Sequence, residues 1–175
     1  FNSFLNAITF GRFFKETQKV TIAASDKGSG IDSIEYLLSD TKKTEVELKD
    51  PKTEWTTLTK EDSGTFNIDP DRKVVIYGKL TDADGNYSLI SSDGMVLDAT
   101  APAISGILNE NGYCVDSKTF TVTDTNLDTV NVDGSDITLD QKGSYTINAD
   151  NNIHTIIATD KAKNSVTYTV GVYTE

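Results

Sequence analysis

TDADGN (residues 81–86) and TDKAKN (residues 159–164) are two similar segments that have the composition of tight turns. Each follows an apolar run that is typical of a strand, 74–80 in the first case and 153–158 in the second, and each precedes another such run. Asp, Asn and Gly are the residues that close tight turns between strands. Because the strand–turn–strand pattern occurs twice in 175 residues, the chain is predicted to contain two tandem all-β modules.

The repeat extends to the strand that opens each module, residues 20–26 in the first and 118–124 in the second. From the Asp that ends this strand to the Asp of the turn, module one takes 56 positions and module two takes 36. The excess falls largely in the charged stretch 39–63. Module one is therefore predicted to carry longer loops or an additional strand pair, and loops are where sandwich folds place much of their function.

Alternation of apolar and polar residues predicts the other strands. The predicted strands of module one are 18–25, 34–38, 44–48, 55–58, 66–68, 73–81, 87–90 and 95–97; those of module two are 103–108, 118–124, 127–132, 137–139, 145–147, 153–159 and 166–172. Many short, evenly spaced strands are typical of a β-sandwich.

The two modules are predicted to meet near Pro102, because proline and the residue before it stiffen the chain in an extended form. The predicted division is residues 17–98 for module one and 99–175 for module two. Residues 1–16 form an apolar segment that we expect to pack on module one as a short helical turn. Contact with a preceding domain is the alternative, since the chain opens without Met and is expected to be part of a longer, exported polypeptide.

Composition limits the classes of partner. A net charge of −11 and a pI near 4.5 argue against nucleic acid, because nucleic-acid binding requires Lys and Arg to neutralise phosphates. The chain lacks any apolar run of the length that a membrane helix needs, so no membrane insertion is expected. Cys114 is the single cysteine, which excludes an intrachain disulfide.

Three sets of residues resemble a known group of proteins. DKGSGI (26–31) followed by IEY (34–36) and Trp55 is similar to the pattern D-x-G-S-G-hydrophobic, I-x-Y, W; DATAP (98–102) is similar to the joint D-x-T-A-P; and the two turns resemble A-T-D-x-A-G-N. These motifs are common in bacterial immunoglobulin-like modules, found in tandem in surface and secreted proteins of Gram-positive bacteria. The resemblance implies two tandem immunoglobulin-like (fibronectin III-like) antiparallel β-sandwiches that lie outside the cell, at the cell surface or in the cell wall.

The resemblance has one departure, at Lys163, where the group usually has glycine. If this position needs a positive φ, the lysine costs roughly 1 kcal/mol; otherwise the turn has a different geometry.

The residues give little support for catalysis, and no catalytic residue is predicted. His154 is the only histidine and lies within a strand, where we expect a locally satisfied ring rather than a catalytic base. Ser29 lies between two glycines but follows a turn and precedes no helix pattern, unlike a nucleophile elbow. One Cys and one His are too few for a zinc site.

Calcium is the better polar hypothesis, although no cofactor is assigned. The first turn superficially matches the start of an EF-hand loop, but Tyr87 stands where that loop needs glycine, and the flanks are strands. A looser site near the module joint would use some of Asp26, Asp82, Asp84 and Asp98. The alternative is that these residues only make turns. If either turn holds a metal, the substitutions in the second copy favour the first.

The leading prediction is a non-catalytic structural or spacer region whose partners are the flanking domains of the parent protein. The alternatives are adhesion or carbohydrate binding, to a glycan or a host protein, and an accessory region of a large secreted carbohydrate-active enzyme. Trp55 and Tyr87 are the aromatic candidates for a glycan surface, although Trp55 is expected to pack on the sandwich. An isopeptide crosslink between Lys118 and Asn164 is a further hypothesis.

Overall fold

The computed structural model describes residues 5–107 and 112–174, with the backbone alone for 112–115. The chain divides into two compact units, Phe1–Asp98 and Ala99–Glu175. Strands dominate both units, and the described residues contain a single helix of five residues. The predicted all-β class is therefore confirmed. No helix in the described part of the chain is long and apolar enough to span a membrane.

Unit one is built from two sheets. Its elements are β1 (Arg12–Phe14), β2 (Gln18–Ala23), β3 (Ile31–Ser39), α1 (Glu45–Lys49), β4 (Thr56–Thr59), β5 (Ser63–Ile68), β6 (Arg72–Asp82), β7 (Tyr87–Ser91) and β8 (Met95–Leu97). The larger sheet has the order β1-β8-β6-β3-β4, with β7 also paired to β6, and the smaller sheet is β2-β5. All pairs are antiparallel except β1 with β8, which is parallel.

The core of unit one lies between these two sheets. Side chains alternate along a strand, so one face of β6 points towards β2 and β5. Buried residues of this core are Ile22, Ile34, Ile68, Val74, Ile76 and Leu97.

The opposite face of the larger sheet is also covered, which makes a third layer. A second buried cluster consists of Val75, Tyr77, Leu89 and Leu48, the last from α1. Leu5, Ile8, Phe10 and Trp55 pack against it. An antiparallel sheet commonly leaves one face to solvent. Here β2 and β5 cover one face, and the N-terminal segment and the charged stretch cover the other.

The N-terminal segment contains no helix within its described residues, so the predicted helical turn is wrong. Phe10 has a φ of 49°, outside the helical region, and the N–H groups of Thr9 and Phe10 both donate to the carbonyl of Asp93. The chain then continues as β1. β-Branched residues and Gly11 disfavour helix here, as the residue types indicate. Phe4, one of the apolar residues of this segment, lies outside the described residues.

The predicted strand 44–48 is also wrong, because these residues form α1. Thr44 accepts a hydrogen bond from the N–H of Glu47, and the Glu47 carboxylate accepts one from the N–H of Thr44. This capping box satisfies two of the donors that a helix start leaves free. Leu48 then points to the sheet and is 2% exposed.

Unit two repeats the two-sheet plan, and its described side chains form one buried cluster. Its elements are β9 (Ala103–Ser105), β10 (Gly112–Val115), β11 (Lys118–Thr123), β12 (Leu127–Val132), β13 (Ser135–Asp136), β14 (Ser144–Ile147), β15 (Asn152–Asp160) and β16 (Ser165–Tyr173). One sheet has the order β10-β16-β15-β12-β13 and the other β14-β11-β9. The core contains Ile104, Phe120, Val122, Val130, Ile147, Ile156, Ala158, Val170 and Val172.

One predicted strand of unit two, 137–139, is wrong. The short strand β13 ends at Asp136, and the N–H of Ile137 donates to the carbonyl of Val130. Ile137 and Leu139 instead pack on the core from irregular backbone, which shows that burial of apolar side chains does not require a strand.

The pairing shows which elements correspond between the units. β2 pairs with β5 as β11 pairs with β14, and β6 pairs with β3 and β7 as β15 pairs with β12 and β16. β4 and β13 then occupy the same edge position. Residues 40–55 separate β3 from β4, whereas only residues 133–134 separate β12 from β13. The charged stretch of unit one therefore contains a helix and its loops rather than an additional strand pair.

Candidate functional site

The insertion 40–55 makes a cleft against the outer face of unit one. Leu48 anchors α1 to the sheet. After α1 the chain turns sharply, with the Thr53 hydroxyl donating to the carbonyl of Glu47 at 2.6 Å and the N–H of Lys52 donating to Asp50 Oδ1 at 2.9 Å. These bonds fix the loop that brings Trp55 back to β4.

The cleft, called here the Trp55–Tyr87 cleft, has a volume of about 230 Å³. The insertion supplies one wall and β6 and β7 supply the other through Lys79 and Tyr87. Trp55 is half-buried and packs on the second buried cluster, whereas Tyr87 is 38% exposed. The lining residues are Leu48, Lys49, Asp50, Pro51, Thr53, Trp55, Lys79 and Tyr87.

Each ammonium group in the cleft has a carboxylate beside it. Lys79 Nζ lies 2.9 Å from Glu35 Oε2 and 5.6 Å from the centre of the Tyr87 ring. Lys49 Nζ lies 2.6 Å from Glu45 Oε1, and the hydrogen bond with Glu45 raises the pKa of Lys49. The cleft is therefore polar but close to neutral.

The structure brings the two aromatic candidates into one site. Trp55 packs on the sandwich as expected, and its ring nevertheless lines the same cleft as Tyr87. Sequence reasoning missed Lys79 and the wall formed by α1. The capping-box spacing from Thr44 to Glu47 was the available signal for that wall.

The two turns of the repeat have the same geometry. In the first, Asp82 Oδ1 accepts from the N–H of Asn86 at 2.8 Å, and Oδ2 accepts from its side-chain amide at 3.0 Å. In the second, Asp160 accepts the same two bonds from Asn164 at 2.8 and 2.7 Å. The side-chain hydrogen bond from Asn86 is the largest influence that lowers the pKa of Asp82. These carboxylates hold hairpins closed.

Lys163 occupies the position of Gly85 in that geometry. Its φ is 70°, compared with 83° for Gly85, and both N–H groups donate to the carbonyl of the turn Asp at 3.1 Å. The first of the two alternatives therefore holds: the position needs a positive φ, and a lysine adopts it. Lys163 Nζ also lies 2.7 Å from Asp128 Oδ2.

Two aspartates of the calcium hypothesis, Asp26 and Asp82, serve as acceptors within turns. Asp26 Oδ2 accepts from the N–H groups of Gly28 and Gly30, and Asp98 is largely buried, with its N–H donating to the carbonyl of Phe14. Within the described residues, neither Asp26, Asp82 nor Asp84 belongs to a group of three metal-ligating side chains.

Unit two contains two carboxylates that lie close enough together to share a metal ion. Asp124 and Asp160 each offer an oxygen within 4.8 Å of the other. Asp124 Oδ1 also accepts from the N–H of Asn126 at 2.6 Å. The pair adjoins the second turn, whereas the sequence favoured the first. Calcium binding stays a prediction.

His154 is held between two carboxylates in unit two. Nδ1 lies 2.7 Å from Asp133 Oδ2, and Nε2 lies 3.0 Å from Asp150 Oδ1. Asp133 Oδ1 also accepts from the N–H of Thr155 at 2.8 Å. Burial lowers the pKa of His154, but the hydrogen bonds to Asp133 and Asp150 outweigh it and raise the pKa above 6.5. Both ring nitrogens are thus engaged, as the sequence predicted for a locally satisfied histidine.

The isopeptide hypothesis stays untested. Lys118 lies on β11, opposite Ile147 of β14, in the sheet that does not contain β15 and β16. Asn164 lies in the β15–β16 turn, where its amide donates to Asp160 Oδ2.

Comparison with known protein families supports the resemblance found in the motifs. Residues 96–175 match the family described as "Glucodextranase, domain B". The match covers the second unit and less than half of the chain. It confirms the resemblance to bacterial immunoglobulin-like modules. No curated protein matches the chain in sequence.

Several solved structures are similar to the chain at low identity. The fibronectin(III)-like modules of CbhA from Clostridium thermocellum are 14% identical with a TM-score of 0.40, over 94% of this chain and 90% of theirs. A tetra-tandem repeat in the extending region of a large adhesion protein is 15% identical with a TM-score of 0.38, over 90% of this chain and 45% of that one. Scores this low carry no conclusion about function.

Proposed function

We propose that the chain is a pair of non-catalytic immunoglobulin-like modules, an accessory and spacer region of a secreted or cell-surface bacterial protein. The motifs and the match of residues 96–175 to the family "Glucodextranase, domain B" support this role. The partners are the flanking domains of the parent polypeptide, and the location is outside the cell.

One observation carries the proposal: the only histidine and the aspartates of the two repeated turns are engaged in hydrogen bonds within their own units. The single histidine of the chain has a carboxylate on each ring nitrogen, so neither nitrogen is available to take a proton from a nucleophile. Both carboxylate oxygens of Asp82 and of Asp160 accept hydrogen bonds within their own turns. Such side chains stabilise hairpins and leave catalysis to another part of the parent protein.

Replacement of residues 1–175 in the parent protein tests this role. A flexible Gly/Ser segment of the same length would preserve connection while removing the folded modules. We expect the parent protein to keep its activity on a soluble substrate. Its activity on an insoluble substrate, or its accessibility at the cell surface, should decrease. Loss of the chemistry itself would contradict a non-catalytic role.

A second candidate function is glycan binding by unit one, either for adhesion or to place an enzyme on a carbohydrate. The specific observation is that Trp55 and Tyr87 line the same cleft. Aromatic side chains with a few polar groups around them are typical of small-ligand sites. This function is compatible with the spacer role because the cleft uses the insertion 40–55.

A further inference from the structure

We infer that the Trp55–Tyr87 cleft binds a single neutral pyranose unit, at the end or on a branch of a glycan. The inference rests on the second candidate function and gives it a ligand class. It is independent of the spacer role, so either can fail without the other.

The size of the cleft favours one sugar ring. Pockets for drug-sized ligands have volumes of about 300–1,000 Å³. The cleft, at about 230 Å³, is smaller than this range. A longer glycan would therefore place one ring between the walls and leave its remaining units in solvent.

The walls suit the two kinds of surface that a pyranose carries. The negative face of an aromatic ring attracts partially positive groups such as the C–H bonds on one side of a sugar. Lys79 can supply hydrogen bonds, because an ammonium has three donors and the contact with Glu35 Oε2 at 2.9 Å uses one of them. The Asp50 carboxylate offers acceptor oxygens on the opposite wall.

Charge balance favours a neutral sugar over an acidic one. Lys79 and Lys49 are neutralised by Glu35 and Glu45, and Asp50 adds a further negative charge to the lining. A uronic or sialic acid would have to displace one of these carboxylates. The overall charge of −11 adds to the repulsion.

The cleft is fixed before any ligand arrives. Leu48 is 2% exposed, Thr44 and Glu47 cap the helix reciprocally, and Trp55 packs on the buried cluster. Rigid walls reduce the ordering cost of binding. Residues 40–55, which have no counterpart of similar length in unit two, thus supply both the wall and its support.

The test uses Trp55 as its own reporter, because it is the only tryptophan. The full chain is titrated with maltoheptaose, isomaltotriose, cellopentaose and, as an acidic probe, polygalacturonate, with fluorescence and calorimetry read together. We expect saturable binding of a neutral probe and a change in Trp55 emission. Tyr87→Ala removes an exposed part of the cleft wall and should weaken this binding about tenfold. A tenfold change in affinity corresponds to about 1.4 kcal/mol, which is close to the largest free energy that one aromatic contact contributes.

Val46→Ala is the matched control, because Val46 is 81% exposed on α1 and is not part of the lining. It should leave affinity unchanged. Absence of calorimetric binding to every neutral probe overturns the inference. So does binding that Tyr87→Ala leaves intact, or binding restricted to polygalacturonate. Circular dichroism of each variant verifies that the fold is retained.

Discussion

His154 sets the pH range in which unit two is most stable. Within the described residues, the charged groups that face its ring are Asp133 and Asp150. The raised pKa of His154 means that its contribution is fully present below 6.5, its unfolded value, and is lost as pH rises through the folded pKa.

The carboxylates of Asp133 and Asp150 give unit two the opposite dependence of stability on pH, because their pKa values are lowered. Burial raises the pKa of Asp133, but hydrogen bonds from Thr155 and His154 outweigh it and lower the pKa. The side chain of Asn152 is the largest influence that lowers the pKa of Asp150, and His154 adds to it. Their contribution is present above 3.8, their ordinary value, and is lost as pH falls through the folded pKa values.

Unit two should therefore be most stable in mildly acidic solution. We expect its free energy of unfolding in urea to be greater at about pH 5.5 than at about pH 8, since the stabilisation by charged His154 is complete below 6.5 and declines as pH rises through its raised folded pKa. His154→Gln should remove this difference. His154 is the only histidine, so its pKa can be measured from NMR signals without overlap from other histidines. A folded-state pKa at or below 6.5 would contradict the interpretation.

Lys163 offers a direct measure of strain in the repeated turn. Lys163→Gly and Lys163→Ala both remove the contact with Asp128, but only glycine accepts a φ of 70° without cost. The glycine variant should be more stable than the alanine variant by about 1 kcal/mol. Gly85→Ala, at a position with open space around it, should lose a similar amount. Equal stability of the two Lys163 variants would show that the turn relaxes.

At the scale of elements, the helix of the insertion is fixed to unit one by one side chain. Leu48→Ala should destabilise unit one by about 2–5 kcal/mol, because it removes buried methyl groups and leaves a cavity. Val46→Ala on the same helix should change the stability by less than about 0.5 kcal/mol, since Val46 is 81% exposed. Chemical denaturation followed by Trp55 fluorescence measures both. Equal effects of the two substitutions would mean that α1 does not pack on the sheet.

The repeated turns and most strands could be predicted because local residue types determine them. The pattern Asp-x-x-Gly/Lys-Asn closes both hairpins with its own side chains, and β12 has the predicted bounds, Leu127–Val132. The prediction failed at residues 44–48, which alternate like a strand. The local capping box, a signal that was overlooked, and the burial of Leu48 against the distant sheet make them a helix.

The cleft itself depends on long-range packing. Trp55 and Tyr87 could be chosen from the sequence as aromatic residues near loops. Their meeting across one cleft requires α1 to lie on β6 and β7, and no local pattern contains that information. Lys79 could not be chosen at all, because the cleft that it lines exists only through the packing of the insertion.

At the scale of the whole molecule, the two compact units predict two separate unfolding events. Ile34 and Ile156 are both fully buried, one in each unit. Ile34→Ala should lower only one transition and Ile156→Ala only the other, each by about 2–5 kcal/mol. Ile153→Ala, at a side chain that is 65% exposed, should shift neither. A single transition that both core substitutions lower equally would contradict independent units.

Each unit also pairs an early strand in parallel with its final strand. β1 runs beside β8 in unit one, and β10 runs beside β16 in unit two. Tension applied to the two ends of a unit pulls such strands past one another along their length. The evenly spaced bonds of a parallel pair then share the force instead of opening one at a time. Single-molecule pulling should show a lower rupture force for unit one after residues 1–14 are removed, and an unchanged force would mean that this strand bears no tension.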